Sequence, residues 1–407
     1  MSTYEVRSER NYAPKVIRVR NLIELPGLDN LRGVSVDGYM ALVSKDTEVG
    51  SLMVMFPAEA QLSEEFAARF NLFRKSELNS DTTAVGYLES HRRIKAIKLR
   101  GHVSSALLLP AWLPDMVEGL EFDTIDGEPI SWKYVPPVKG PARMSATPKK
   151  DKVFGDVTLQ LKEHPDTAQY LREQHTIPDD ALLVISQKIH GTSVRAAWVK
   201  IDRDLAWWEK ALVRFGVQLD TKRWAWAVGS RKVIKSVSGT GKESSDHWYS
   251  QDLWSDVMAQ FESLIPKGMA IYGEIYGYVP KSDTPIQQGY TYDAKPGEAK
   301  FVAYRVVNGG YDLSDAAARE FCAERGIAFV PKLTVMEKEW FEPEHWMDQR
   351  FYDQGYGNAI PLAKESPVDE GVVLLVEGLV PRRYKVKGPQ FYLYESKDLD
   401  RGEEVLS

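Results

Sequence analysis

The chain carries one cysteine, Cys322, in 407 residues. An internal disulfide is therefore impossible, and the expected setting is reducing and cytoplasmic. Long apolar runs are also missing. The longest, Ala106 to Leu113, is broken by Pro110 and is far too short to cross a bilayer. The opening stretch Met1 to Arg7 lacks the apolar core of a signal peptide, so no membrane partner is expected. Surplus positive charge is absent too, with 52 Lys and Arg against 58 Asp and Glu and a net charge of −6. A protein that coats nucleic acid with its whole surface is usually basic, so any such contact must come from local patches. No internal repeat is visible. What remains is ordinary globular usage, 43% hydrophobic and 27% charged, which excludes disorder and fibrous folds. The length suggests two or three domains in a monomer.

The first stretch reads as short strands parted by turn residues. Val16 to Leu25, Val34 to Val43, Ser51 to Phe56, Arg93 to Arg100 and Val103 to Leu109 are strand candidates, and Glu64 to Phe73 is a helix. Five strands and one helix suit a small closed barrel of the OB type, although an SH3-like barrel reads similarly. Between Tyr134 and Lys152 prolines and basic residues replace large apolar ones, the pattern of an extended linker. The expected division is a barrel over residues 1–133, a linker over 134–152 and a second domain over 153–407. In that second domain Ala181 to Gln187 and Val194 to Val199 read as hairpin partners. Trp224 to Val228, Ile271 to Tyr276, Phe301 to Val307, Gly371 to Val376 and Tyr384 to Lys387 read as further strands. Asp204 to Phe215, Trp248 to Leu264 and Ser314 to Arg325 read as helices. The fold class is α+β, with antiparallel sheet predominating after the barrel.

The chemistry concentrates in a few short motifs. Gln187-Lys188-Ile189-His190-Gly191-Thr192-Ser193 places a lysine at the end of an apolar strand with a glycine three residues on. A lysine amine is protonated at neutral pH, and burial or neighbouring cations are needed to release it as a nucleophile. The glycine would let the backbone approach a phosphate closely. Alone, this motif is weak, and a hairpin with one surface lysine is the more ordinary reading of it. Four further elements follow in order. They are Ser230-Arg231-Lys232, then Glu274 between Gly273 and Gly277, then Glu370-Gly371, and finally Lys385 and Lys387 at the period of two that puts both on one strand face.

This ordered set resembles the motifs of covalent nucleotidyltransferases, the ATP-dependent polynucleotide ligases and capping enzymes, and most closely RNA ligases. The histidine in Lys188-Ile-His190-Gly191 resembles the second, phage-type RNA ligase family. The barrel placed before the catalytic domain resembles the fifth, whose first domain is an OB fold. The resemblance implies that Lys188 attacks the α-phosphorus of ATP to form a lysyl-AMP. It implies ATP contacts from Gln187, Ile189, His190, Gly191, Ser193, Arg231, Glu274, Tyr304, Glu370, Lys385 and Lys387. In it Gln187 lies near adenine, Tyr304 stacks on it, and Arg231 touches ribose or phosphate. Glu274 and Glu370 bind ribose or hold Mg²⁺ or Mn²⁺ through water, as hard oxygen donors suit. Lys385 and Lys387 neutralise the phosphates, which lets an amine approach a polyanion. A family glutamine falls on Gln288 or on Gln287. A neutral His190 cannot supply the charge of the usual aspartate, and holding the motif loop is an equal reading of it. Cations clustered at Lys188 would favour its neutral amine, and nearby glutamates would oppose that.

Two basic segments supply candidate nucleic-acid footprints. Arg92, Arg93, Lys95, Lys98 and Arg100 lie in the barrel, and Lys222, Arg223, Arg231, Lys232 and Lys235 flank the second motif; both would grip phosphates without reading sequence. Trp207, Trp208, Trp224, Trp226 and Trp248 are expected in the core. The resulting expectation is an RNA ligase that joins 3′-OH and 5′-phosphate ends of RNA, as in nick repair, with every ATP contact in the second domain. The alternatives are a DNA ligase, a capping enzyme, or a nucleic-acid-binding protein that keeps the fold without catalysis. The first two usually carry a barrel after the last motif, and only 20 residues follow Lys387.

Overall fold

In a computed structural model of the chain, residues 2–135, 152–164, 166–240, 242–243 and 252–400 are described. Most of the expected linker and Trp248 lie outside the described residues. The N-terminal part holds β1 (Lys15–Arg18), β2 (Ile23–Glu24), β3 (Leu31–Val36), β4 (Tyr39–Ser44), β5 (Leu52–Pro57) and β6 (Ala106–Pro110). They form one sheet in the order β1-β5-β6-β4-β3-β2. Among the described residues no pairing joins β1 to β2, so hydrogen bonds do not close this sheet into a barrel. The strand expected over Val34 to Val43 is instead a hairpin. Asp37 and Gly38 both take positive φ and turn the chain between Val36 and Tyr39, which pair with each other. The basic stretch from Arg93 is largely irregular: Arg93 makes a single bridge with Gln61, and Ile97–Leu99 pairs with His102–Ser104.

Apolar side chains occupy both faces of this sheet, which is why β5 reads as a continuous apolar run rather than an alternating one. Val54 and Phe56 pack beneath the helix Glu64–Arg69 through Phe66. Ser63 caps that helix by accepting from the Phe66 amide. On the other face Met53 and Met55 meet Tyr392 and Leu393 of the last helix, Pro389–Asp400. The two ends of the chain thus share one core.

The remainder builds two sheets from β7 (Ala168–Gln169), β8 (Leu182–Gln187), β9 (Thr192–Asp202), β10 (Lys222–Ser230), β11 (Ile234–Val237), β12 (Lys242–Glu243), β13 (Met269–Gly277), β14 (Ala299–Asn308), β15 (Tyr311–Asp312), β16 (Lys332–Glu337), β17 (Val372–Val376) and β18 (Arg382–Val386). One sheet runs β7-β18-β17-β8-β16, and the other β12-β11-β10-β9-β13-β14-β15. The expected hairpin of β8 with β9 is not made. β8 pairs with β16 and β17, whereas β9 pairs with β10 and β13, so Lys188 to Gly191 carries the chain from one sheet to the other. The helix Trp207–Arg214 caps the far end of the β9–β10 hairpin and buries only Glu209. Its Trp207 is 83% exposed and Trp208 50%, contrary to their expected place in the core, where Trp226 does lie. No helix among the described residues is long and apolar enough to cross a membrane.

Candidate active site

The cleft between the two sheets collects the motif residues. Lys188 leaves the end of β8, where its amide donates to Gly371 O and Gln187 pairs with Val372. That register sets Glu370 beside it. Gly371 sits at φ +128, and a Cβ there would fall 2.0 Å from Val386 O, so only glycine allows β17 and β18 to close at this point. Lys385 and Lys387 follow on β18 and just past it, both facing the cleft. From the other sheet come Ser193 on β9, Glu274 opposite it on β13, and Tyr304 on β14. Arg231 reaches in from the turn after β10. Val330, Val373, Leu375 and Phe329 give the cleft an apolar wall.

Glu370 is the electrostatic centre, only 1% exposed. One oxygen, Oε1, lies 2.9 Å from both Lys188 Nζ and Lys387 Nζ, and Oε2 lies 3.4 Å from His190 Nδ1. These are charge contacts rather than aligned hydrogen bonds. Burial opposes ionisation, yet Lys188 and Lys387 hold this carboxyl well below the usual range. Lys387 also touches Glu395 of the last helix at 3.2 Å, and against its burial the two carboxylates hold it well above an ordinary lysine. Lys385 behaves oppositely, since burial first and Lys387 second bring it down to about 7. Glu274 accepts from Ser193 Oγ at 3.1 Å, and burial pushes its carboxyl up to about 8 despite the attraction of Lys188. The two carboxyls are thus shifted in opposite directions, because Glu370 touches two lysines directly while burial dominates at Glu274.

Several expected roles are altered by the geometry. Gln187 lines the cleft, but its amide donates to Asp369 and to Ile360 O and accepts from Ile360 N. Both donors are committed to the loop before β17 and neither presents to a base. A Cβ on Gly191 would fall 2.3 Å from Ile275 O, so this glycine serves the contact with β13 rather than a phosphate approach. His190 is 2% exposed and lies edge-on to Tyr290 and Phe391, behind Lys188 rather than in the cleft. Gln287, not Gln288, supports the motif loop, donating to Gly191 O at 2.8 Å. Arg231 is paired with Asp166.

The N-terminal part contributes to this cleft, contrary to the expectation that it holds none of it. Glu9, Tyr12 and Lys133 form one side. His164 and Asp166, which no motif marks, complete the rim. The basic stretch is also corrected. Arg93 is 2% exposed and bound to Glu59 and Asp400, so it cannot face solvent phosphates. Lys95 pairs with Asp400 and Arg92 with Glu64, and Arg100 donates to Gly27 O. Lys98 remains an exposed position. In the second basic segment Lys235 is buried over the Trp254 ring.

Among the described residues no three His, Cys, Asp or Glu side chains converge on a metal position. The carboxylates at hand fit a divalent ion that draws most of its ligands from phosphate and water, with Glu274 on the wall and Glu370 held by lysines.

A family model of RNA ligase matches residues 181–387, more than half of the chain. No curated protein sequence matches it. Among solved structures, a Naegleria gruberi RNA ligase mutant with AMP and Mn superposes with a TM-score of 0.60 at 14% identity, over 95% of this chain and 99% of that one. A mutant with ATP and Mn gives 0.57 at 14%, over 97% and 100%. The same organism's RNA ligase with PPi gives 0.59 at 15%, over 96% and 100%. At such identities the likeness concerns the fold, and it spans both parts of the chain.

Proposed function

The chain belongs to the RNA ligase family, and from that premise we propose that it is an ATP-dependent enzyme that seals a 3′-OH to a 5′-phosphate in nicked RNA. The observation that carries this reading is the shared contact of Lys188 and Lys387 with one oxygen of Glu370. When Lys188 gives up a proton and turns away, Lys387 stays on Glu370, so no buried carboxylate is left unpaired. The neutral amine then attacks the α-phosphorus, a P–N bond forms and pyrophosphate leaves. The AMP passes next to a 5′-phosphate oxygen, which restores Lys188, and a 3′-OH displaces it as the phosphodiester forms.

Lys385 and Lys387 offset phosphate charge, Tyr304 offers a ring to the base, and Arg231 is released from Asp166 to contact ribose or phosphate. Bound Mg²⁺ or Mn²⁺ would add charge stabilisation at the phosphates, with Glu274 as its protein carboxylate. The N-terminal part, read as an OB-type domain over residues 1–133, acts with the catalytic domain on RNA in a monomer; its small mixed sheet and flanking helix support that reading. The test is a nicked duplex RNA incubated with the protein, ATP and Mg²⁺ or Mn²⁺. A sealed strand is expected, and its absence with every divalent ion would overturn the proposal.

A further inference from the structure

With Arg93 buried and Arg92 and Lys95 paired, the expected basic stretch keeps few exposed cations, and a second basic surface lies on the same part of the chain. A cleft of about 400 Å³ opens on the edge of the N-terminal sheet beside β1. Arg10, Lys15, Arg18, Arg20 and Arg172 line it, against three carboxylates, Asp37, Glu118 and Glu121. Each carboxylate is already satisfied. Lys15 holds Asp37 at 2.6 Å, Arg18 and Arg20 share Glu118 at 3.2 and 2.6 Å, and Arg10 and Arg172 share Glu121 at 2.6 and 2.7 Å. Arg10 also reaches Glu173 behind the wall. The wall thus keeps surplus cation on a protein whose net charge is −6.

Its construction grades from buried to exposed groups. Arg172 forms a floor, 3% exposed, with its guanidinium on Ala13 O and Glu121. Arg18 and Arg20 stand two residues apart at the rim, with side chains 44% and 74% exposed. Cations outnumber rings on its lining, where no Phe, Tyr or Trp stands and the His175 imidazole is the ring present, so phosphates rather than bases are the groups it suits. Arg10 belongs to the single 3₁₀ turn Arg10–Tyr12, while Glu9 and Tyr12 face the Lys188 cleft. One turn of chain therefore separates the two.

We propose that this cleft binds the phosphodiester backbone of the RNA that is sealed, an inference that rests on the ligase reading above. Phosphates entering it displace the rim arginines from Glu118 onto themselves and set the strand's register without reading its sequence.

The test compares the full-length protein with Arg18→Ala/Arg20→Ala and with Glu118→Gln. The double variant should bind nicked duplex RNA about thirtyfold more weakly near 0.15 M salt and lose about two from the salt slope, as two phosphate contacts imply. Its labelling of Lys188 by AMP should be unchanged. Glu118→Gln should bind more tightly, because it removes an acid from the wall. Unchanged RNA affinity and slope in the double variant would overturn the proposal. Inorganic tripolyphosphate forms a second arm. If the double variant lost binding of tripolyphosphate while RNA binding held, the cleft would serve a free anion and the proposal would equally fail. Failure of the ligase reading is distinguishable, since it would show as no AMP label on any variant, whatever the RNA result.

Discussion

Replacing Arg93 with methionine tests whether that residue is a structural clamp. Its guanidinium donates to both oxygens of Glu59 at 2.6 and 2.9 Å, to Ser396 O at 2.9 Å and to Asp400 at 3.0 Å. Glu59 is 4% exposed, so removing Arg93 strands a buried carboxylate. Breaking one side of such a pair costs about 3–5 kcal/mol. The double variant Arg93→Met/Glu59→Gln should recover most of that loss, because it leaves no stranded charge. The pH dependence has a definite sign. Burial already raises Glu59 despite Arg93, and losing Arg93 raises it further. A carboxyl raised in the folded state binds more protons there than when unfolded. Stability of Arg93→Met should therefore fall, relative to the wild type, as pH rises from about 5 to 8. Urea unfolding followed by tryptophan fluorescence at both pH values reads this out. A loss below about 1 kcal/mol at both, well under the range for a broken buried pair, together with a flatter salt slope for RNA binding, would refute the clamp and restore Arg93 as a phosphate contact.

Two further outcomes follow from the cleft. Burial raises Glu274 to about 8, so the wild type should lose stability as pH climbs from about 4.5 through 8, and Glu274→Gln should flatten that fall in an unfolding titration; an unchanged pH profile would contradict the buried carboxyl. Gly191→Ala should abolish AMP transfer while ATP concentration has no rescuing effect, since its Cβ would collide with Ile275 O at 2.3 Å and push the Lys188 loop off β13; wild-type labelling would show that the contact yields.

The chemistry was more legible than its scaffold. Lys188, Glu274, Glu370, Lys385 and Lys387 stood out by the order of their motifs and its resemblance to RNA ligases, and the structure gathers them with Tyr304 about one cleft. Pairing was harder to read. β8 and β9 are close in sequence, but apolar runs on both faces specify no partner, and each joined a different sheet. Arg93 looked like surface because a run of basic residues carries no sign of Glu59 and Asp400, its partners 34 and 307 residues away. Trp207 and Trp208 were expected in the core, yet both stand exposed on a helix that buries only Glu209. Tyr12, Lys133 and Asp166 reach the cleft through tertiary placement that local pattern does not encode.

The central claim is that Lys188 becomes covalently adenylated. Incubation with α-labelled ATP and Mg²⁺ or Mn²⁺, without nucleic acid, followed by peptide mapping, tests it directly. Label is expected on the wild-type peptide containing Lys188, released by pyrophosphate, and none on folded Lys188→Ala. Label persisting on the alanine variant, or found on Lys385 or Lys387 instead, would contradict it.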